Sequence, residues 1–316
     1  MAAKTISFSK LRFYWPIYIL VLPSAALVGL FSYFPAVNGF YHAFFRWTPP
    51  DTNEWVGMRN IEQALRDPVL WDGFKVVLVL VAANLFRMIP SILTAVALNR
   101  LRNQKWAYVY KVMFVLPMII PEMVGLLVWK FIFNPNNGPL NALLQASGGM
   151  WLLNKLDDAL GWNVFYQGQP PVWLGDAELV IPSLILWGFP WLGAVSVLIY
   201  LAGLQSIEES IYESAELDGI SSIGKFVHIE LPLILTQVRI TLVLMIIGTL
   251  QGFHLMLVLL GPSGGPRGVG MVPGLYMFNQ AFVQSQYGYA CAIGVILFVF
   301  VLVLTEINNR FVKVKR

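Results

Sequence analysis

Six apolar runs alternate with polar stretches along this chain, at about residues 13–37, 76–98, 108–133, 179–204, 237–260 and 289–307. Each is close to the roughly 20 residues that a helix needs to cross a bilayer. The most informative polar stretch, 205–236, lies between the fourth and fifth runs. Around it Leu204, Ile207, Ile211 and Ala215 recur every three or four positions, while Glu208, Glu209, Glu213, Glu216 and Asp218 fill the rest, which predicts an amphipathic helix over Gln205 to Asp218. Gly219 can take the left-handed conformation that ends it, and Ser221 or Ser222 can cap a second helix in which Ile223, Phe226, Val227 and Glu230 share a face. Pro232 is suited to start a third, where its missing N–H costs nothing. The pattern predicts an all-α integral membrane bundle of about six transmembrane helices with a two-helix loop outside the bilayer.

Composition sharpens this. The chain is 57% hydrophobic and only 12% charged, with a mean hydropathy of +0.67, against roughly 25% charged residues in soluble domains. Such a chain cannot cover itself with polar surface and belongs in lipid. The net charge of +4 mostly reflects basic ends and loops, and nucleic acid is not indicated. The single cysteine, Cys291, sits in an apolar run, so there is no disulfide framework and no thiolate metal site.

Charge also orients the runs. The segment 1–12 carries Lys4, Lys10 and Arg12, and the apolar run from Phe13 is too long for a signal peptide, whose apolar region is about 7–15 residues. Arg100, Arg102 and Lys105, and the tail 308–316 with Arg310, Lys313, Lys315 and Arg316, fall on the same side as the N-terminus, whereas 134–178 has only Lys155 and 261–288 only Arg267. The basic segments 1–12 and 308–316 are therefore expected in the cytoplasm, flanking a membrane domain over 13–307 whose loop 205–236 is cytoplasmic too. Residues 38–75 are read as an external loop.

Polar residues inside apolar runs are the candidates for a transport path. Arg87 lies midway along the second run and Glu122 near the middle of the third, and a charge at such depth costs a few kcal/mol if unpaired. An Arg87–Glu122 pair is one expectation; separate contacts with a watery cavity or another subunit are the other. Gln251, Phe253 and His254 interrupt the fifth run, and Trp187 and Trp191 flank Pro190 in the fourth. Amide, imidazole and aromatic groups suit a sugar's hydroxyls and ring face, but hydrogen bonds between helices or anchoring at the membrane surface would also place them there. His254 has no second His or Cys at ligand spacing, so no metal is expected. Glu209, Glu213 and Glu216 form a solvated or docking stripe rather than an acid–base pair. Gly219 to Lys225 has the spacing of a phosphate-binding loop, but Phe226 replaces the Ser or Thr that would hold magnesium and an acidic helix precedes it. No enzyme site emerges.

The pattern Glu213-x-Ala215, Gly219 and then Ile229-x-Leu231-Pro232 resembles the cytoplasmic EAA loop of the membrane subunits of binding-protein-dependent ABC importers, with Ser214 replacing the usual second small residue. Asn134 to Asn141, Trp173-Leu174-Gly175-Asp176 and Tyr287-Gly288-Tyr289-Ala290 resemble the first permease subunit of the carbohydrate importers of that family. The resemblance implies a permease for a sugar or oligosaccharide, paired with a second, related permease. It also implies two ATPase subunits that grip the EAA loops and hold ATP and magnesium, an extracytoplasmic solute-binding protein that delivers substrate, and no cofactor on this chain. Arg87, Glu122, Gln251 and His254 would surround the path, and the bacterial or archaeal inner membrane is the implied location. A relative importing a glycerol phosphate, a stand-alone ion-coupled carrier and a membrane scaffold are the alternatives. A carrier would need paired acidic or His groups in several runs, where only Glu122 and Glu306 are available.

Overall fold

Local capping signals fix where the helices begin. Asp67 accepts from Val69 N at 2.9 Å just before Pro68, Asn103 accepts from Lys105 N, and Asp176 accepts from Glu178 N, so each satisfies a backbone donor that the first helical turn leaves open. In the computed structural model, which describes residues 8–311 apart from 102, 162–163 and 166–168, the elements run α1 (Phe8–Val28), α2 (Phe34–His42), β1 (Phe45–Thr48), β2 (Thr52–Trp55), α3 (Arg59–Arg66), α4 (Pro68–Asn99), α5 (Gln104–Val115), α6 (Glu122–Ile132), α7 (Pro139–Ala146), α8 (Gly149–Leu160), α9 (Ala177–Leu186), α10 (Ala194–Gln205), α11 (Glu209–Leu217), α12 (Ser222–Lys225), α13 (Leu231–Leu233), α14 (Leu235–Gln251), α15 (His254–Leu260), α16 (Pro273–Phe278) and α17 (Tyr287–Phe311). Among the described residues the hairpin β1–β2 is the only sheet, and the other elements are helical. The expected segments 1–12 and 308–316 lie largely outside the described residues, as does Arg102.

Two compact units divide the chain. The first holds residues 1–66 and 280–296. In it α1 continues through a π turn, Gly29–Tyr33, into α2, and its side chains face outward: Leu20 is 80% and Phe31 71% exposed. An apolar helix left bare along its length is matched to lipid. The segment read as an external loop folds into the hairpin, with Arg46 opposite Glu54 and Trp47 opposite Asn53. Buried Asn60 ties α3 to the hairpin by donating to the carbonyls of Ala43 (3.0 Å) and Phe45 (2.8 Å).

The second unit holds residues 67–279 and 297–316. Its axis is α4, which packs on α9, α10, α14 and α16. Ile92, Ala95, Val96 and Leu98 of α4 bury against Val197, Tyr200, Leu201 and Leu204 of α10, about 1.5–3 kcal/mol per large side chain. A second core joins Phe133, Val164, Trp173 and Leu179. There Trp173 Nε1 donates to buried Asn141 Oδ1 at 2.7 Å.

Among the described residues only the helices Tyr14–His42, Pro68–Asn99 and Tyr287–Ile307 are long and apolar enough to span a bilayer unbroken. The expected third span is two helices, Lys105–Ile119 and Glu122–Ile132, bent by 89°, because Pro121 supplies no N–H and its ring favours an extended residue before it. The expected fourth span divides into α9 and α10 around residues 187–193, where Gly188 (φ 77°) and Trp191 (φ 60°) leave helical geometry. The expected fifth is divided at Gly252–Phe253 between α14 and α15. Among the described residues three bent pairs, Lys105–Ile119 with Glu122–Ile132, Ala194–Gln205 with Glu209–Leu217 and Ser222–Leu233 with Leu235–Gln251, bring the total to as many as six by length and composition.

Candidate functional site

The breaks in these three helices meet at one cavity of about 480 Å³. Glu122 opens α6, Trp187, Gly188 and Trp191 form the break between α9 and α10, and Gly252 and His254 form that between α14 and α15; all line it, together with Asn84, Arg87 and Ser91 of α4. Non-helical backbone within a membrane domain is tolerated where it lines a polar cavity, since its open N–H and C=O groups can then be satisfied.

Arg87 closes part of that account. Its Nη2 donates to the carbonyls of Leu184 (2.8 Å) and Ile185, and its Nη1 to Asn84 Oδ1 (2.9 Å). Those carbonyls belong to the last turn of α9, where the break removes their helical partners and where a cation is favoured by the helix dipole. The guanidinium also lies 6.0 Å from the Trp187 ring centre and 5.8 Å from that of Trp191, a cation–π arrangement. Carbonyls and rings thus offset part of the burial cost of Arg87, whose Nε is buried without a hydrogen-bond partner among the described residues. Among the described residues it forms no ion pair with Glu122, although both side chains line the same cavity. Of the two expectations the pair is not formed, and this clamp on α9 holds Arg87 instead.

Trp191 is held in a left-handed conformation that a bulky side chain avoids. Its indole N–H donates to Ile185 O at 3.1 Å, and its carbonyl accepts from Ser91 Oγ, which in turn accepts from Gly193 N, both at 3.2 Å. Gln251 and Phe253, expected on the path, are not among the cavity's lining residues: Gln251 is exposed elsewhere, and Phe253 stacks on His254 (4.3 Å) and Phe278 (5.4 Å). Sequence reasoning missed Asn84, Ser91 and Thr249. Asn84 donates to Thr249 Oγ1 at 2.9 Å. Their signal was available, since Asn84, Arg87 and Ser91 recur at helical spacing within an apolar run and so share a face.

The loop 205–236 forms a second candidate site. After α11, Gly219 takes φ 68°, Ile220 N donates to Ala215 O and Gly219 N to Glu216 O, both at 3.1 Å, the Schellman pattern that satisfies the last carbonyls of a helix. Ser221 Oγ accepts from Gly224 N at 3.1 Å and caps α12. Helical structure then runs through a π turn, Phe226–Glu230, into α13, so Pro232 lies within it and the break falls at Ile234 instead. Ala215 and Ile229 line a groove of about 340 Å³ with Ser210, Ser214 and Asp218. Glu213 is exposed on α11, while Leu217 and Ile223, on either side of the turn, are 90% and 76% exposed.

Beneath this loop Glu230 is fully buried, and Arg100, at the end of α4, reaches it with Nη2–Oε2 at 2.7 Å and Nε–Oε1 at 3.1 Å. Arg100 Nη2 also donates to Ser222 O at 2.9 Å. A two-pronged guanidinium–carboxylate pair fixes both position and angle, so the loop is keyed to α4. Burial, and after it the charge of Glu230, push the Tyr212 phenol above its usual range, keeping it neutral beside the pair.

A lipid-exposed helical protein whose broken helices line a cavity of mixed polar and apolar character, with a capped helical loop keyed to its central helix, falls in the class of multi-pass membrane transport subunits. The chain belongs to the family of binding-protein-dependent transport system inner membrane components, which matches residues 78–313. It is 28% identical over 302 residues to the probable ABC transporter permease protein YurN of Bacillus subtilis, covering 94% of this chain and 95% of that one. To the multiple sugar-binding transport system permease protein MsmF of Streptococcus mutans it is 29% identical over 304 residues, covering 95% and 96%. Its fold is similar to a chain in the crystal structure of a bacterial ABC transporter that imports the acidic polysaccharide alginate, with a TM-score of 0.76 at 21% identity over 97% of this chain and 99% of that one.

Proposed function

We propose that this chain is a permease subunit of an ATP-driven importer that moves a sugar or oligosaccharide into the cytoplasm. The observation that carries the reading is the cavity formed where α4 faces the three helix breaks, in a chain of this transport family. Relatives named for multiple sugars, lactose and arabinooligosaccharides support the substrate class. Hydroxyl, amide and imidazole groups, with the Trp187 and Trp191 rings, are the chemistry that a sugar needs in such a space.

In this reading both termini and the loop 205–236 lie in the cytoplasm, and a second permease completes the bundle. Two ATPase subunits hold ATP and magnesium and cover Leu217, Ile223 and the groove around Ala215 on this chain and the matching loop on its partner. An extracytoplasmic binding protein supplies the substrate. Glu213, Ala215, Gly219, Ile229, Leu231 and Pro232 form the coupling element, and Arg87 and Arg100 link it through α4 to the cavity. Closure of the ATPase pair moves the loop, and the pair between Arg100 and buried Glu230 passes that movement to α4.

A photo-cross-linker at Ala215 in the membrane-embedded complex tests the reading. The expected product is a nucleotide-hydrolysing protein. Recovery of none, or labelling of the loop by a membrane-impermeant reagent added outside intact cells, would reject the assignment. The substrate class is read by ATP-dependent uptake of labelled sugars in proteoliposomes containing the whole complex.

A further inference from the structure

The first unit contains a cavity that the transport reading does not use. It measures about 410 Å³ and is enclosed by β1, the start of α3 and the first turn of α17, a size within the usual range for small-molecule sites. Its lining shares no residue with the cavity on α4.

Its frame is rigid. Asn60 forms part of the lining, its amide spent on the Ala43 and Phe45 carbonyls, and Trp47 stands as a wall, stacked on His42 at 4.0 Å. Three of its polar side chains, by contrast, are uncommitted. Arg59 and Gln63, one turn apart on α3, and Gln286, just before α17, make no side-chain hydrogen bond among the described residues. Arg46 meets only Glu54, at 3.6 Å, with both side chains more than half exposed, a pair of little intrinsic strength. Two arginines and two carboxamide residues therefore line one space. A guanidinium fork matches a carboxylate, and carboxamides match hydroxyls as donor and acceptor.

We propose that this cavity binds a sugar acid of monosaccharide size, with its carboxylate on Arg59 and Arg46 and its hydroxyls on Gln63 and Gln286. Glu54 competes with the ligand for Arg46. The site faces the side that charge patterning assigns to the exterior, but binding itself does not require that assignment or the import reading.

The test uses the full chain in lipid nanodiscs with fluorine-labelled tryptophan, the Trp47 resonance being assigned by Trp47→Phe. Titration with glucuronate should shift that resonance saturably, and glucose at the same concentrations should not. Arg59→Gln should weaken glucuronate binding roughly tenfold, the loss expected for a charge-assisted hydrogen bond, while the other tryptophan resonances of the ligand-free protein stay in place. Glu54→Gln should tighten it several-fold by freeing Arg46, a gain that damage to the fold would not produce. An unsaturable or absent shift, an equal response to glucose, or weaker binding in Glu54→Gln would overturn the proposal.

Discussion

The coupling loop and the central cavity are both built around an arginine of α4, and they are built in opposite ways. At the loop, Arg100 meets a fully buried carboxylate, and the helix ends around it are closed by their own caps. At the cavity, Arg87 meets no carboxylate and instead stands in for the hydrogen bonds that the break in α9 removes. One region is keyed by a charge pair and held shut by local backbone chemistry. The other is kept open by a cation on bare carbonyls. Under the proposed function the loop transmits force, which closed caps favour, and the cavity changes shape, which breaks held by a few long-range bonds favour.

The largest expected effect is at the loop. Arg100→Ala should leave Glu230 charged and buried without its partner, at a cost of about 3 kcal/mol after allowing for the partial exposure of Arg100. Thermal unfolding and uptake should both fall, and Arg100→Met with Glu230→Leu should restore unfolding temperature without restoring uptake. A double variant that transports normally would show that the pair is not the key described. Next, at the cavity, Arg87→Lys keeps the charge but loses the fork, and should cost about 1–3 kcal/mol of stability along with most uptake. Exchange of charges in Arg87→Glu with Glu122→Arg should be as inactive as either single change; recovery of uptake would mean that the two residues pair in a working state.

Gly219→Ala should cost about 1 kcal/mol through its left-handed φ, with Gly219→Asn milder, as read by unfolding temperature. The smallest effect is expected for Ser91→Ala, which removes the hydroxyl between Trp191 O and Gly193 N. A loss of about 1 kcal/mol with a shift in KM for uptake would place that hydroxyl at the service of the break; unchanged KM would leave it a packing contact only.

The same contrast governs what could be read from the residues. The loop was legible because its determinants are local: periodic apolar positions, an acidic stripe, Gly219 and a following serine cap fall within one short segment. Its key was not, since Arg100 and Glu230 are remote in sequence and each has a bland local reading as a loop cation and a helix-face acid. The breaks were hidden by the very apolarity that revealed the spans. Pro121, Pro190 and Gly252 were visible, but hydropathy averaged over about 20 residues reports burial in lipid and is blind to continuity. Arg87, Glu122 and His254 stood out as polar groups in apolar runs. A carboxylate partner was one of two readings for Arg87 because a charge suggests a countercharge, whereas helix carbonyls left open by a break become visible only once the break is known. Asn141 and Trp173 show the reverse case, two separate sequence signatures that the fold joins in one hydrogen bond.

Helix α4 bears Arg87 within it and Arg100 at its end, roughly 20 Å apart at about 1.5 Å of rise per residue. Under the proposed function it is a driveshaft whose two couplings are of different kinds, an ionic lock at one end and a soft grip on a severed helix at the other. Pro90 lies between them and deletes one rung of the shaft's own hydrogen bonding, which makes it the softest point along the shaft.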